Sequence, residues 1–333
     1  MRTGHDKWTG EETAAAPNDA DTRVSRRRFL GAAGVTAAAV GAPGVLAPVA
    51  AAHGGGGHGH RGHNRDRVPR ERISIQLFTL RDQLAIDLSG TLQALAGFGY
   101  RRVEHAGFVG RTVTQFKAAL DAAGIRATSG HVSIPQPFDA TAWSASLQDA
   151  LTLQSRFIVH PFFGINFGTG QVTRDSATWA AFAHDLNRAG EMARRVGLRL
   201  GYHNHNWEFF RLTDDPSRTA FDVLVEETDP RYVHFELDLF WSWRGAHDPV
   251  DILRRIDGRV RQYHVKDMNQ AGSFADPGQG LIDFARIFRA QEVDEYIVER
   301  DDAGTPPRAP ADALTTARVG YEYLANLRLR TRP

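Results

Sequence analysis

From Ile73 onward, short runs of β-branched and aliphatic residues alternate with longer stretches whose apolar residues recur every three or four positions. No other feature narrows the possible folds as much, because a parallel α/β protein requires this alternation of periods. Eight runs read as strands: Ile73–Leu80, Tyr100–Glu104, Ile125–His131, Arg156–His160, Leu198–His203, His234–Asp238, Val260–Val265 and Val293–Glu299. Between them lie amphipathic stretches at Leu88–Phe98, Thr114–Ala123, Ser176–Val196, Thr219–Glu227, Pro249–Ile256 and Asp283–Ala290, and Ala309–Leu327 follows the last strand. Ser89, Thr114 and Ser176 stand where N-cap side chains belong, and Gly124 and Gly197 where a glycine leaves a helix. Eight βα units in about 250 residues predict a (β/α)8 TIM barrel. A doubly wound sheet would use fewer strands and a glycine-rich first turn, whereas the first turn here is "FTLRDQ". No dinucleotide fingerprint or P-loop follows any strand. The fold class is thus α/β, with one barrel domain over residues 70–333.

Active sites of such barrels form at the C-terminal ends of the strands. Here strand two ends in Glu104-His105, three in His131, four in His160 and five in His203-Asn204-His205. Strand six ends in Glu236-Leu237-Asp238, seven in His264-Val265-Lys266 and eight in Glu299-Arg300-Asp301. The period of two puts His203 with His205, Glu236 with Asp238, and His264 with Lys266 on common faces. Imidazoles and carboxylates converging from different strands, without thiolates, suit one divalent ion such as Mn²⁺, Mg²⁺, Co²⁺ or Zn²⁺.

Several of these residues have a plainer reading as well. His160, ahead of Pro161, reads equally as a hydrogen-bonded core histidine or as a substrate contact, and His234 reads as structural or surface. Glu208 reads as a solvated loop charge or as a partner for a histidine. Trp207, Trp241, Trp243, Phe162 and Phe163 read as core aromatics or as stacking surfaces for a sugar. Gly278 and Gly280 in "DPGQGLIDF" form a turn, or bring backbone N–H groups close to a ligand after strand seven, where barrels often hold phosphate.

At these residues the chain resembles the sugar phosphate isomerase/epimerase family of xylose isomerase-like TIM barrels, which also includes inosose dehydratase-type and endonuclease IV-type members. The resemblance covers Ile73 to Leu327. It is carried by "IQLFTLRD" at strand one, "YHNHNWEF" at five, "FELDLFW" at six, "YHVKD" at seven, "GQGLIDF" after it and "YIVERD" at eight, in the family's order. The family's metal site takes a Glu from strand five, an Asp from six, a His from seven and a Glu from eight. Carried over, these positions are His203, Asp238, His264 and Glu299. His203 replaces the first of two glutamates that, in epimerases of the family, exchange a proton on opposite faces of the substrate. The branch with "YHNH" resembles dehydratase-like relatives.

The resemblance implies a divalent-metal-dependent isomerase or epimerase that removes a proton next to the carbonyl of a sugar or keto-sugar. Glu299 would be the base, His203 or Glu236 would return or relay the proton, and Lys266 would polarise or anchor an oxygen. Glu104, His131, His160, His205, Trp207, Trp241 and Gly280 are the candidate substrate contacts. The alternative is a lyase or dehydratase of a keto-sugar, keto-glycoside or keto-inositol, because the same enediolate can expel a β-substituent. A third reading is a non-catalytic exported carbohydrate-binding barrel. The sequence is compatible with a homo-oligomer.

Charge and the N-terminal region bound the partners. Nine of the 40 Lys/Arg and six of the 39 Asp/Glu precede residue 70, which leaves the remainder with a net charge of −2. A nucleic-acid binder would show a basic excess, so an endonuclease is disfavoured and a small-molecule sugar is the expected partner. Within residues 1–52, Arg26 and Arg27 precede Phe29, Leu30 and a weakly apolar run that ends at Ala50-Ala51-Ala52. This pattern predicts a cleaved twin-arginine signal, a secreted or extracytoplasmic product and no stable membrane anchor after cleavage. Residues 53–69 are Gly- and His-rich and read as a disordered linker whose His53, His58, His60 and His63 bind metal only adventitiously. The chain has no cysteine, so disulfides, thiolate sites and cysteine nucleophiles are excluded. Export should therefore depend on the arginine pair. With Arg26 and Arg27 replaced by Lys, immunoblotting of cell fractions should find the precursor in the cytoplasm; undiminished export would refute the signal.

Overall fold

The computed structural model describes residues 66–329. The predicted signal segment, and the predicted linker up to residue 65, lie outside the described residues. Eight parallel strands form the barrel: β1 Ile73–Ile75, β2 Arg102–His105, β3 Arg126–Gly130, β4 Phe157–His160, β5 Arg199–His203, β6 Val233–Asp238, β7 Val260–Val265 and β8 Glu295–Val298. Six of them make one ladder in the order β1-β8-β7-β6-β5-β4, and β2 pairs with β3. Single parallel bridges, Gln76 to Glu104 and His131 to Val159, join the two sets and close the ring.

Inward and outward residues alternate as the period of two demands. On β6, Phe235 packs on Phe221 of the helix Ala220–Glu227, with ring centroids 5.2 Å apart, so His234, Glu236 and Asp238 point into the barrel. On β5, Tyr202 packs on Phe182 of the helix Ser176–Arg195, which turns His203 inward. That helix buries Trp179, Phe182, Ala183, Leu186, Ala189, Gly190 and Ala193, a stripe at three- and four-residue spacing. Each fully buried large apolar side chain in this layer contributes roughly 1.5–3 kcal/mol.

The boundaries differ from the sequence reading in ways with clear causes. The predicted first strand is cut short: Leu77–Leu80 is a 3₁₀ turn and Arg81–Ile86 an α-helix, because the Gln76 side chain accepts the Phe78 amide and bends the chain. The true N-caps are Asp87, Thr112 and Asp175, each one or two residues before the predicted Ser89, Thr114 and Ser176. Their side chains reach the amide three residues on, at Gly90, Gln115 and Thr178. Gly124 and Gly197 do adopt left-handed φ, 68° and 84°, past their helices. Besides Arg81–Ile86, two helices escaped the periodicity, Ala140–Thr152, capped by Asp139, and the six-residue Leu239–Arg244. Ordered structure begins before residue 70, because Arg67 pairs with Arg328 and Val68 is buried.

Gly190 sits mid-helix, where glycine ordinarily costs about 1 kcal/mol relative to alanine. A Cβ there would lie 2.6 Å from the Tyr232 carbonyl oxygen, so the glycine serves a close helix-to-loop approach. Gly190→Ala should therefore destabilise by about 1–3 kcal/mol despite its better helix propensity. A lowered Tm on thermal unfolding checks this; an unchanged or raised Tm would show that the approach is loose.

Candidate active site

The strand register sets the site. His203 lies beside Glu236 across the β5–β6 pair, and Asp238 lies beside His264 across β6–β7. Glu299 follows directly on β8, its amide donating to the Val265 carbonyl at 3.3 Å. Asn204 fixes the end of β6 by accepting the Asp238 amide on its side-chain oxygen at 3.0 Å. One donor atom from each of His203, Asp238, His264 and Glu299 lies within 4.8 Å of the others, and all four residues are buried. His131, His203, Glu236 and His264 meet the same limit one layer deeper.

The upper group fits a divalent ion. Asp238 Oδ1 accepts the Trp241 amide at 2.8 Å, while Oδ2 is buried and accepts no hydrogen bond. It lies 3.8 Å from His203 Nε2, and 3.1 Å from Lys266 Nζ but out of line for a hydrogen bond. A buried carboxylate oxygen that makes no hydrogen bond and faces an imidazole suits coordination, and the two-nitrogen, two-oxygen donor set suits Mn²⁺, Co²⁺ or Zn²⁺. Lys266 supplies the one ammonium, with Nζ 2.8 Å from Glu299 Oε2 and 3.0 Å from Asp301 Oδ1.

Electrostatics follow from burial and crowding. Burial pushes the Asp238 carboxyl up to about 6, against the pull of Lys266 and His264. Burial opposes the charge of Lys266, yet Asp238, Asp301 and Glu299 outweigh it and hold the ammonium above its ordinary range. Burial likewise acts against protonating His264, but Glu236, Glu299 and Glu104 hold it well above the usual imidazole range. Burial would raise Glu299, and Lys266 with His264 instead keeps it well below the ordinary carboxyl value. His203, desolvated and facing His264, falls to about 3 and is neutral.

The remaining candidates separate by geometry. Glu236 is fully buried, its Oε2 facing His131 Nε2 at 2.8 Å, His203 Nδ1 at 3.0 Å and His264 Nε2 at 3.0 Å. Glu104 lies deeper, bonded to Gln76, Ser129 and His264. His131 and His205 line the site near His203, with centroids 4.9 Å from it in each case. His205 stacks on Trp207 at 4.2 Å and tilts toward Trp241 at 5.4 Å, so these three form one aromatic wall. The Trp207 indole N–H is taken by the Phe163 carbonyl at 2.8 Å.

His160 is held away from the cluster. Its Nδ1 accepts the Ile134 amide at 2.9 Å and its Nε2 donates to the Phe162 carbonyl at 2.8 Å, which is the core-histidine arrangement. His234 is likewise structural, bonded to Gln262. Glu208 is not solvated: it is buried and accepts the Tyr202 hydroxyl at 2.6 Å and the His205 amide at 2.9 Å, pinning the turn after β5. Gly280 is spent internally as well. Its N–H and that of Gly278 both donate to Asp267 Oδ2 at 2.9 Å, and a Cβ on Gly280 would meet Asp267 Oδ1 at 2.3 Å. An aspartate carboxylate thus occupies the amides that a phosphate would use. The sequence reading gave no role to Gln76 and Asn204, just past their strands, or to Ser129 and Gln262, inside theirs, because polar residues of this kind carry no local signal beyond their place in the barrel.

Known proteins agree with this architecture. The sequence profile of xylose isomerase-like TIM barrel proteins matches residues 92–312. An inosose dehydratase of Geobacillus kaustophilus is 29% identical over 171 residues, 45% of this chain and 53% of the relative. One of Clostridium perfringens is 26% identical over 145 residues, 38% of this chain and 47% of the relative. The chain thus spans about half the length of the curated relatives it matches. A sugar phosphate isomerase/epimerase from Parabacteroides distasonis shares the fold with a TM-score of 0.65 at 23% identity, over 77% of this chain and 93% of that one.

If the upper group is a metal site, chain whose four linker histidines are replaced by Ala should hold close to one Mn²⁺ per molecule by elemental analysis after gel filtration. Asp238→Ala and His264→Ala should each lose it. Retention of the ion by both variants would refute the assignment.

Proposed function

Because the chain belongs to the xylose isomerase-like TIM barrel family, we propose that it is a divalent-metal-dependent lyase that removes a proton next to the carbonyl of a keto-sugar or keto-inositol and expels a β-hydroxyl or β-glycosyloxy group. The observation that carries this reading is the convergence of His203, Asp238, His264 and Glu299, with an imidazole on β5 where two-carboxylate epimerisation needs a second base. The match to inosose dehydratases supports the same choice.

A divalent ion held by these four residues would act as a Lewis acid toward the carbonyl and neighbouring hydroxyl oxygens. Glu299, which directly follows β8, takes the carbon-bound proton on its carboxylate oxygen. Lys266 keeps Glu299 ionised and places a positive charge beside the oxygen that gains electrons. The His205 imidazole, on the aromatic wall, gives the departing oxygen its proton. Trp207 and Trp241 flank that imidazole and offer a flat apolar surface to the ring of the substrate. The commitment of the Gly278 and Gly280 amides to Asp267 supports an unphosphorylated substrate, which also suits export through the twin-arginine pathway.

Incubation of Mn²⁺-loaded protein with keto-inositols and 3-keto-glycosides in D₂O, followed by NMR, tests the proposal. The expected result is a dehydrated or deglycosylated enone. Glu299→Gln should lower the rate at least about 10²-fold, the ordinary contribution of a positioned base, with metal content measured alongside. His203→Glu should keep the ion and shift the outcome toward deuterium exchange without elimination. Efficient return of C3 epimers by the wild type, with no elimination, would overturn the lyase reading in favour of an isomerase or epimerase.

A further inference from the structure

Beneath the four candidate ligands the barrel interior is polar rather than aliphatic, and its hydrogen bonds form a connected column. His234 Nε2 meets Gln262 Oε1 at 3.0 Å, and Gln262 Nε2 donates to Ser129 Oγ at 3.0 Å. The Ser129 hydroxyl donates to Glu104 Oε2 at 2.5 Å, and Gln76 Nε2 donates to Glu104 Oε1 at 2.7 Å. Glu104 Oε1 then faces His264 Nε2 at 2.7 Å. Beside it, Glu236 Oε2 faces His203 Nδ1 at 3.0 Å and His131 Nε2 at 2.8 Å. Every residue of this column except His131 is buried.

Each candidate ligand histidine is therefore held between a deep carboxylate and the upper group. His203 turns Nδ1 down to Glu236 and Nε2 up toward Asp238 Oδ2. His264 turns Nε2 down to Glu104 at 2.7 Å, with Glu236 at 3.0 Å beside it, and Nδ1 up to Glu299 Oε2 at 2.6 Å. A carboxylate can only accept, so the lower nitrogen of each ring must carry hydrogen. In the neutral His203 ring the upper nitrogen then carries the lone pair, whereas the upper nitrogen of His264 faces the Glu299 carboxylate at 2.6 Å and holds a second hydrogen that an incoming cation would displace.

We propose that Glu104 and Glu236 are positioning residues that fix opposite tautomers of two ligands, Nε2–H for His264 and Nδ1–H for His203, so that both rings offer a lone pair to a divalent cation at the barrel mouth. This rests on the metal reading of the site. It removes Glu236 from the proton-transfer groups and Glu104 from the substrate contacts, because both act through the imidazoles above them. The donors from Gln76 and Ser129 hold Glu104 in place, and Gln262 and His234 orient Ser129 in turn.

The experiment is ¹⁵N-histidine NMR on the full chain together with Mn²⁺ affinity by EPR, for wild type, Glu104→Gln, Glu236→Gln and Ser129→Ala. The wild type should show His203 as the neutral Nδ1–H tautomer and should bind Mn²⁺. Glutamine can also donate through its amide, so it no longer dictates which nitrogen carries hydrogen. Each Gln variant should weaken Mn²⁺ binding by about 10–100-fold, the usual effect of losing such a partner, and Glu236→Gln should change the His203 tautomer pattern. Ser129→Ala, which leaves both histidine-facing oxygens intact, should weaken binding far less, and circular dichroism should show all three variants folded. Should a Gln variant not fold, Glu→Asp at the same position, which keeps the acceptor and its charge, should restore binding to within a few-fold of wild type. His203 found as Nε2–H in the wild type, or Gln variants that bind Mn²⁺ like wild type, would overturn the inference while leaving the metal reading standing. A wild type that binds no Mn²⁺ would overturn both.

Discussion

Two carboxylates, Glu104 and Glu236, lie inside the barrel with no exposure to solvent, and the rest of the interior is arranged around them. Burying an ionised carboxylate costs several kcal/mol unless charge and hydrogen bonds answer it. Glu104 has three donors around it, from Gln76, Ser129 and His264, and Glu236 has three imidazole nitrogens around a single oxygen. Each of those donors must in turn be held at the right height on its strand, and the parallel register does this. Because Glu104 pairs with Ser129 across β2–β3, and Glu236 with Gln262 across β6–β7, the same layer of side chains reappears around the ring.

That lower layer determines the charge of the upper one. Around His264 and Lys266 stand the carboxylates Glu104, Glu236, Asp238, Glu299 and Asp301, and Lys266 sets its ammonium against three of them, Asp238, Glu299 and Asp301. The surplus of negative charge pulls a proton onto His264 and keeps Lys266 charged, although burial opposes both. A site with this balance favours a further positive charge. A divalent ion supplies it without a bulky side chain and leaves the mouth open to a ligand. Asp238 Oδ2, buried, without a hydrogen bond and paired only with the Lys266 charge at 3.1 Å among the described residues, is where that preference is most local.

Much of this was legible in the sequence, because barrel strands are short, buried and followed by ionisable residues. All eight strands fall where the β-branched runs predicted, and the four residues chosen as ligands from four different strands converge. What escaped depended on contacts far apart in the chain. Nothing local distinguishes the Glu104 that is buried under His264 from a glutamate at a strand exit, since the distinction is a matter of height along the barrel axis. Gly280 read equally as part of a turn or as a glycine offering its amide to a ligand, and only the fold reveals that Asp267, thirteen residues earlier, takes that amide. The helix Ala140–Thr152 escaped although it buries Trp143, Leu147 and Ala150 at three- and four-residue spacing. Ser89, Thr114 and Ser176 were plausible caps by type, but a cap works through the amide three residues on, and that count favoured the side chains just upstream.

The imidazole on β5 connects these observations. A glutamate at that position would present both oxygens to the mouth and would have no donor to offer Glu236 below it. Glu236 would then be a buried carboxylate facing another carboxylate, a pairing that raises one of the two pKa values and favours protonation. With His203 in place, one ring nitrogen answers the buried charge and the other is left for the site above. The same residue that takes a second carboxylate base out of the mouth therefore also joins His264 and His131 in answering the charge of Glu236 inside the barrel. The two positions form a physical pair: replacing His203 by a carboxylate disturbs the chemistry at the mouth and the charge balance beneath it together, and a neutral residue at 236 relieves the second effect without touching the first.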